Sequence, residues 1–215
     1  MLLAVITFFV GCIIGGIAKE QFSVGKNIGE ARVVTEVETQ FSRPHVLLNN
    51  VTLPTENGTT QIDHILIADT GVFVIETKHY KGWIYGNPND ATWTQVVFKL
   101  KSRFQNPSRQ NYGHLKTLQA LFSLPEDNFF SVVVFSGEAE FKSFLGDNVF
   151  KLGELSGYLA KTRPIIFDER KMAYVVGRIE MKRLRRSIKT DEYHVNSLRE
   201  RAAKPDYVKR PSRIF

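Results

Sequence analysis

The chain has 215 residues, of which 43% are hydrophobic and 24% charged, so we expect one globular domain with appendages and exclude extensive disorder. The single cysteine, Cys12, excludes an intramolecular disulfide and a cysteine-based zinc site, which suits a reducing compartment. The formal charge of +7 is unevenly distributed along the sequence. The residues from Lys182 onwards contain 11 Lys and Arg and 4 Asp and Glu, whereas the residues before Lys182 contain 18 Lys and Arg and 18 Asp and Glu.

The sequence begins with an apolar segment, Leu2–Ala18, that contains no charged side chain. As a helix it would be about 25 Å long, slightly shorter than the roughly 30 Å hydrocarbon core of a bilayer. We expect a membrane anchor here; a cleaved signal peptide is the alternative, although no Lys or Arg precedes the segment. Lys19, Lys26 and Arg32 follow it. The positive-inside rule therefore predicts a single-pass protein of a bacterial-type inner (plasma) membrane with a cytoplasmic body.

Hydrophobic periodicity predicts the elements of the first half of the body. A helix is expected over about 28–41, with Val33, Val34, Val37 and Phe41 on the same face as Glu30. Strands are expected at 46–53, 60–68 and 72–78, separated by turn sequences at 54–58 and 69–71. The apolar run of the third strand predicts burial on both faces.

The second half predicts a hairpin, helices and one buried strand. The hairpin is expected from 81–85 and 93–99, followed by a helix with Asn106 as N-cap and Pro107 at its first position, running to about Phe122. A strand at 130–135 and helices at 152–160 and 168–186 follow, and residues beyond Ser187 are expected to be helical at most. These elements predict an α/β domain with a mixed central sheet.

We therefore divide the chain into an anchor (1–19), a core (20–135), a C-terminal helical part of the same domain (136–186) and a basic tail (187–215). The run Lys182–Arg186 has three open interpretations: a solvated helix end, a nucleic-acid contact, or a contact with anionic lipid. The first is the default, because runs of charge are usually solvated.

Two acidic residues are predicted to meet in the hairpin of the second and third strands. If its turn has two or four residues, opposed residues sum to 139 in number, so Asp63 faces Glu76 and Gln61 faces Lys78. A three-residue turn would shift this register by one. Two opposed carboxylates repel, so a positive group is expected between them.

Either Lys78 or a divalent cation could neutralise this pair, and Glu30 could add a third carboxylate. A metal ion would polarise a phosphoryl oxygen and activate water, while Lys78 would orient that water. The alternative is a salt-bridged hairpin without a catalytic role. Spacing and burial alone do not decide between the two.

Several motifs in this order resemble the nuclease-related domain (NERD) family, over about residues 25–135. They are Gly29–Glu30, Thr60–Ile65, Gly71–Lys78, Lys81–Gly86, and Asn106–Pro107 with Gln110 and His114. The resemblance implies the restriction-endonuclease-like fold of the PD-(D/E)XK superfamily, a mixed central sheet flanked by helices. It also implies hydrolysis of phosphodiester bonds in DNA, or in RNA, with Mg²⁺ or Mn²⁺ as cofactor.

The same resemblance assigns roles to the acidic hairpin. Asp63 and Glu76 would bind the metal with the carbonyl of Thr77, Lys78 would assist the attacking water, and Glu30 would be the acidic residue of the first helix. Ile62 departs from the pattern, since many members of the superfamily have proline there.

Other polar residues are candidates for substrate binding. They are Gln61 and, on the side of the predicted helix opposite its leucines, Gln110, Asn111 and His114; a solvated helix face is the alternative. His64 alternates away from Asp63, so we expect a packed or hydrogen-bonded side chain rather than a metal ligand. Trp83, Tyr85 and Trp93 are expected to pack in the core or hairpin, although exposed aromatics could stack on unpaired bases.

Two functional hypotheses follow. The first is a membrane-anchored, metal-dependent nuclease acting on nucleic acid, DNA before RNA. The second is a non-catalytic, membrane-tethered nucleic-acid-binding or scaffold module that has kept the nuclease fold. Salt-dependent binding without turnover under any divalent metal would favour the second.

Overall fold

The structure is a computed structural model that describes residues 27–203. The expected anchor at 1–19 and the end of the basic tail lie outside these residues. Across the described part of the chain, the helices are all too short or too polar to span a bilayer.

Residues 27–203 form five α-helices and nine β-strands. In chain order they are α1 (27–40), β1 (His45–Thr55), β2 (Gly58–Ala68), β3 (Gly71–Lys78), β4 (Gly82–Tyr85), β5 (Thr92–Val97), β6 (Leu100–Gln105), α2 (Pro107–Gln119), β7 (Phe129–Phe135), β8 (Ala139–Phe141), β9 (Val149–Lys151), α3 (Leu152–Leu159), α4 (Glu169–Lys182) and α5 (Ile188–Ala203).

Most of the predicted elements are confirmed, and the differences have local causes. The strand predicted over 93–99 ends at Val97, because the chain turns at Phe98 and Lys99 and returns as β6. Phe98 has a left-handed backbone with a φ of 55°, a conformation that is rare for an aromatic residue. β8 and β9 have three residues each, too few to produce a periodic signal.

The chain divides into two compact units. Among the described residues, unit 1 contains 27–42, Thr77–Phe104 and Val133–Lys161. Unit 2 contains Arg43–Glu76, Gln105–Val132 and 162–203. The boundaries fall inside β3 and β7, so each of these strands belongs partly to each unit.

Both sheets are mixed, as expected for an α/β domain. The larger has the order β1-β2-β3-β7-β9, in which β1–β2 and β2–β3 are antiparallel and β7–β9 is parallel. The smaller has the order β6-β5-β4-β8, in which β4–β5 is antiparallel and β4–β8 is parallel. This arrangement is compatible with a nuclease-like fold.

Each unit has its own hydrophobic core. In unit 2, apolar side chains of β1, β2 and β3 pack with those of α2 and α4; they include Val51, Ile65, Val74, Leu118 and Ile179, all fully buried. In unit 1, Trp93 stacks on Phe135, with ring centroids 6.5 Å apart, and its Nε1 donates to the carbonyl of Asn87 at 2.9 Å. The expected packing role of Trp93 is confirmed.

The turn between β2 and β3 is held on both sides. The guanidinium of Arg43 donates two hydrogen bonds of 2.8 Å to the carboxylate of Asp69, and this contact raises the pKa of Arg43. The backbone carbonyl of Asp69 accepts from the amides of Ile166 and Phe167, both at 2.9 Å. These bonds fix the turn and hence the register of the hairpin.

Candidate active site

The β2–β3 hairpin has the register that the sequence predicts. Its pairs run from Ala68 opposite Gly71 to His64 opposite Ile75, and each pair sums to 139. Asp63 and Glu76 are the next residue on each strand, and each carboxylate residue is only 2% exposed. The hairpin therefore carries two buried acidic residues where its regular pairing ends.

β2 changes its alternation at Asp63. Ile65 and Ile67 belong to the core of unit 2, and so does Ile62, three residues before Ile65. In a regular strand, residues that face the same core are an even number of positions apart. Ile62 and Ile65 are three positions apart, so the alternation of side chains between the two faces of β2 shifts by one residue between them; we call this shift the reset of β2. On β1, Asn50 has a φ of 52°. It lies between Asn49 and Val51, which pair with His64 and Ile62 of β2, and is therefore level with Asp63. A left-handed non-glycine residue thus marks the strand next to the buried acid.

His64 has a structural role at this irregularity. Its Nδ1 lies 2.7 Å from Oδ1 of Asn49, its partner on β1, and its side chain is fully buried. The expectation of a hydrogen-bonded histidine is confirmed.

His114 of α2 links the two strands of the hairpin. Its Nε2 lies 3.3 Å from Oε2 of Glu76 on β3, and its Nδ1 lies 2.7 Å from the hydroxyl of Thr60 on β2. Nε2 of Gln110, one turn earlier on α2, lies 3.4 Å from Nε2 of His114. The contact between His114 and Glu76 is an ion pair when the imidazole is protonated, whereas the contact with Thr60 is a hydrogen bond whose direction depends on the tautomer.

Asn111 fixes the backbone beside this cluster. Its Nδ2 donates to the carbonyl of Val74 at 2.7 Å, to the hydroxyl of Ser131 at 2.9 Å and to the carbonyl of Val132 at 3.0 Å. Val74 lies two residues before Glu76 on β3, so the amide anchors the segment that carries this carboxylate. Asn111 itself is fully buried.

The predicted orientation of α2 is wrong. Asn111 and His114 are buried on the same helix face as Leu115 and Leu118, rather than on a separate face opposite the leucines. The spacing of 3, 4 and 7 residues places all four on one stripe. The solvated-face alternative is therefore excluded for Asn111 and His114, whereas Gln110 is half-buried.

Unit 1 brings the start of α1 to the end of β3. A Cβ added to Gly29 would lie 2.6 Å from Cβ of His79 and 2.7 Å from Oγ of Ser136, so only glycine permits this approach. The amide of Ser136 donates to the carbonyl of Lys78 at 3.0 Å, and Arg32 donates to the carbonyl of Ser136. Hence the Gly29–Glu30 motif lies against the residue that follows Lys78.

The remaining predicted residues are placed as follows. Glu30 and Thr77 are buried, Lys78 is half-buried, and the predicted inward face of α1 is confirmed at Glu30, Val33, Val37 and Phe41. Gln61 is half-buried on β2 opposite Thr52 of β1; its predicted alignment with Lys78 stays a prediction. Within residues 27–203, no three His, Cys, Asp or Glu side chains converge as a ready-made metal site.

Thr60 is the residue of this cluster that sequence reasoning missed. Thr60 precedes Asp63 by three residues, so regular alternation would place the two side chains on opposite faces of the sheet. The reset of β2 removes that relation. If His114 had been predicted to face inwards, its ring nitrogens would have required buried partners, and a hydroxyl group on the adjacent strand would have been a candidate.

Comparison with known proteins identifies the family of this chain. The family model described as the nuclease-related domain matches residues 25–136, more than half of the chain. An uncharacterized protein of Bacillus anthracis is 53% identical over 94 residues, which cover 43% of this chain and 44% of that protein. The match therefore spans less than half of the relative's length. No solved structure matches the chain significantly. On the family match, the chain belongs to the nuclease-related domain family.

Proposed function

We propose that this protein is a metal-dependent nuclease that hydrolyses phosphodiester bonds of DNA, or of RNA, at Asp63 and Glu76. The observation that carries the proposal is the burial of both acidic residues, one on each strand, directly beyond the last pair of a hairpin with the predicted register. Membership of the nuclease-related domain family suggests a nuclease-like function and a nucleic-acid partner.

Two buried carboxylates fit a hard divalent cation. Burial of an ionised carboxylate is costly unless a positive group compensates it, and oxygen donors suit Mg²⁺ or Mn²⁺. By the family pattern the carbonyl of Thr77 would be a further donor. When bound, the ion would activate water and stabilise the charge that develops on the phosphoryl group.

The residues around Glu76 support a preorganised carboxylate. Nε2 of His114 lies 3.3 Å from one carboxylate oxygen of Glu76, and Asn111 anchors the preceding backbone at Val74. Such supporting contacts restrict the orientation of the reactive group, which is what catalysis requires of an acidic ligand. Lys78 would steady the attacking water or the developing negative charge, and Glu30 would add an acidic group.

We also propose where the substrate is met. The apolar segment 2–18 would anchor the protein in a bacterial-type inner membrane, with the body in the cytoplasm. The basic tail would then contact either nucleic acid or the anionic headgroups beside the anchor. These parts of the proposal rest on the sequence alone.

A cleavage assay tests the proposal. The full-length chain, purified in mild detergent, is incubated with supercoiled plasmid, linear duplex DNA, single-stranded DNA and single-stranded RNA, in Mg²⁺, Mn²⁺ or EDTA. We expect cleavage in at least one metal, none in EDTA, and none with Asp63→Asn. Asp127→Asn is the matched control, because Asp127 is exposed. Cleavage by folded Asp63→Asn at the wild-type rate would contradict the mechanism, and binding without turnover in every metal would favour the non-catalytic module.

A further inference from the structure

Two large aromatic side chains are exposed in the middle of the smaller sheet. Trp83 and Tyr85 alternate with buried Ile84 on β4, and they are 46% and 39% exposed. β4 has a neighbour on each side, β5 and β8, so these rings lie on a sheet face rather than at an edge. Two exposed aromatics two residues apart on one sheet face form an apolar patch, and such patches can mark binding sites.

The strand register extends this face across β5. Trp83 lies opposite Val96, and Tyr85 lies opposite Thr94. Directly opposed residues share a face, so the two aromatics are followed across the sheet by one apolar and one polar side chain of modest size. Neither covers the rings.

The next strand adds two cations to the same face. The two-residue turn after Val97 pairs that residue with Leu100, and the same count pairs Val96 with Lys101 and Thr94 with Arg103. The edge-on contact of Trp93 with Phe104, at 6.2 Å between centroids, agrees with this register. Lys101 and Arg103 are both exposed. Two rows result, Trp83–Val96–Lys101 and Tyr85–Thr94–Arg103.

The charges around the aromatics favour an anionic ligand. Residues 91–105 contain three basic side chains and no acidic one. On the other side of Trp83, Nζ of Lys142 lies 4.9 Å from the indole centroid. Glu140, opposite Trp83 on β8, is acidic, and its hydrogen bond with Lys142, at 2.7 Å, lowers its pKa. The charges of Glu140 and Lys142 offset each other, so the positive excess on this face comes from Lys101 and Arg103.

From these rows we infer that the aromatic platform, which consists of Trp83, Tyr85, Lys101, Arg103 and Lys142, binds single-stranded nucleic acid. Unpaired bases stack on the two rings, and Lys101 and Arg103 contact the phosphates that follow. Exposed aromatics on a sheet with flanking cations suit this ligand, because every base has a face that stacks and every linkage has a charge. The inference deepens the proposed function, on which it rests for the class of ligand.

Duplex DNA fits the platform less well than a single strand. Stacked bases inside a duplex do not offer their faces to Trp83 and Tyr85, so a duplex would engage the cations alone. A lipid surface would instead use the most exposed apolar residue of the hairpin tip, Phe98, which is 95% exposed and lies in the turn, outside the platform.

Binding is measured by fluorescence anisotropy of labelled oligothymidylate and oligouridylate, with full-length protein in EDTA so that no cleavage occurs. We expect Trp83→Ala and Tyr85→Ala each to weaken binding by about 5- to 150-fold, the range that follows from 1–3 kcal/mol per stacked base. Tyr174→Ala, an exposed aromatic of α4, is the matched control and should bind as wild type. The two oligonucleotides show whether the 2′-hydroxyl matters.

The two cations have a separate signature. Lys101→Ala combined with Arg103→Ala should reduce the slope of log affinity against log salt by about 1.4, or roughly 0.7 for each phosphate of a single strand that the variant no longer neutralises. An unchanged slope would remove these residues from the binding surface.

Tryptophan fluorescence keeps the test decisive if an alanine variant fails to fold. The chain has two tryptophans, and Trp93 is fully buried, so quenching by a stacked base would come from Trp83. We expect oligothymidylate to quench the wild type, and Trp83→Phe to lose the quenching while its affinity changes only a few-fold.

Three outcomes would overturn the platform. They are equal affinity for duplex and single strand that is insensitive to Trp83 and Tyr85, binding to anionic vesicles that is lost in Phe98→Ser, and the absence of oligonucleotide binding. None of them bears on cleavage by Asp63 and Glu76, which is assayed separately with metal. Failure of the platform and failure of the nuclease are therefore distinguishable.

Discussion

In this protein, Nε2 of His114 on α2 lies 3.3 Å from Oε2 of Glu76 on β3, although the two residues are 38 positions apart in the sequence. The other ring nitrogen lies 2.7 Å from the hydroxyl of Thr60 on β2. The imidazole thus couples the helix to both strands of the acidic hairpin. In a nuclease, this coupling would orient the carboxylate of Glu76 before substrate arrives.

We predict that His114→Ala lowers the rate of metal-dependent cleavage by about 10- to 100-fold, the usual effect of removing a residue that orients a metal ligand. Initial rates on the preferred substrate, together with the metal concentration at half-maximal rate, provide the measurement. Tyr112→Ala, at an exposed position of the same helix, is the control. A rate equal to wild type in folded His114→Ala would show that Glu76 needs no such support.

Asn111→Ala should destabilise the fold. The substitution removes the donor shared by two backbone carbonyls, Val74 and Val132, and buried polar groups left without partners cost about 1–3 kcal/mol. Urea denaturation followed by circular dichroism measures the loss. Thr117→Ala, on the same helix, removes only a bond to the carbonyl of Gly113 and should change stability by less than about 0.5 kcal/mol. Equal effects of the two variants would contradict the anchoring role of Asn111.

Two glycine-to-alanine changes should have opposite signs. Gly29→Ala places a methyl group within 2.7 Å of both His79 and Ser136, so the start of α1 must shift and the melting temperature should fall. Gly177→Ala, inside α4 with no atom near its added Cβ, should stabilise the protein by up to about 1 kcal/mol through helix propensity. Thermal unfolding of both variants is the test, and a stabilising Gly29→Ala would show that α1 does not need this close approach.

The register of the acidic hairpin was predicted for a turn of two or four residues, and the structure has a two-residue turn, Asp69 and Thr70. The reset of the side-chain alternation at Asp63 could not be predicted, because it coincides with a left-handed backbone conformation at Asn50, which hydrophobic periodicity does not reveal. Likewise, the turn at Phe98 hid β6, because an aromatic residue is an unusual choice for a positive φ.

The orientation of α2 was missed for a physical reason. Polar side chains on a helix are expected to face solvent, because their burial is costly without hydrogen bonds. Asn111 and His114 are exceptions because the strands offer them partners: backbone carbonyls for the amide, and Thr60 and Glu76 for the imidazole. Those partners are distant in sequence, so the helix pattern alone does not identify them.

The most direct test of the central claim is a calorimetric titration of Mn²⁺ and Mg²⁺ into the full-length protein and into Asp63→Asn, Glu76→Gln and the exposed control Asp127→Asn. If Asp63 and Glu76 hold the metal of a nuclease, the heat of binding is present in the wild type and the control and lost in both site variants. Undiminished heat in folded Asp63→Asn and Glu76→Gln, or no binding to the wild type, would contradict the account and leave a nuclease-related fold without its metal chemistry.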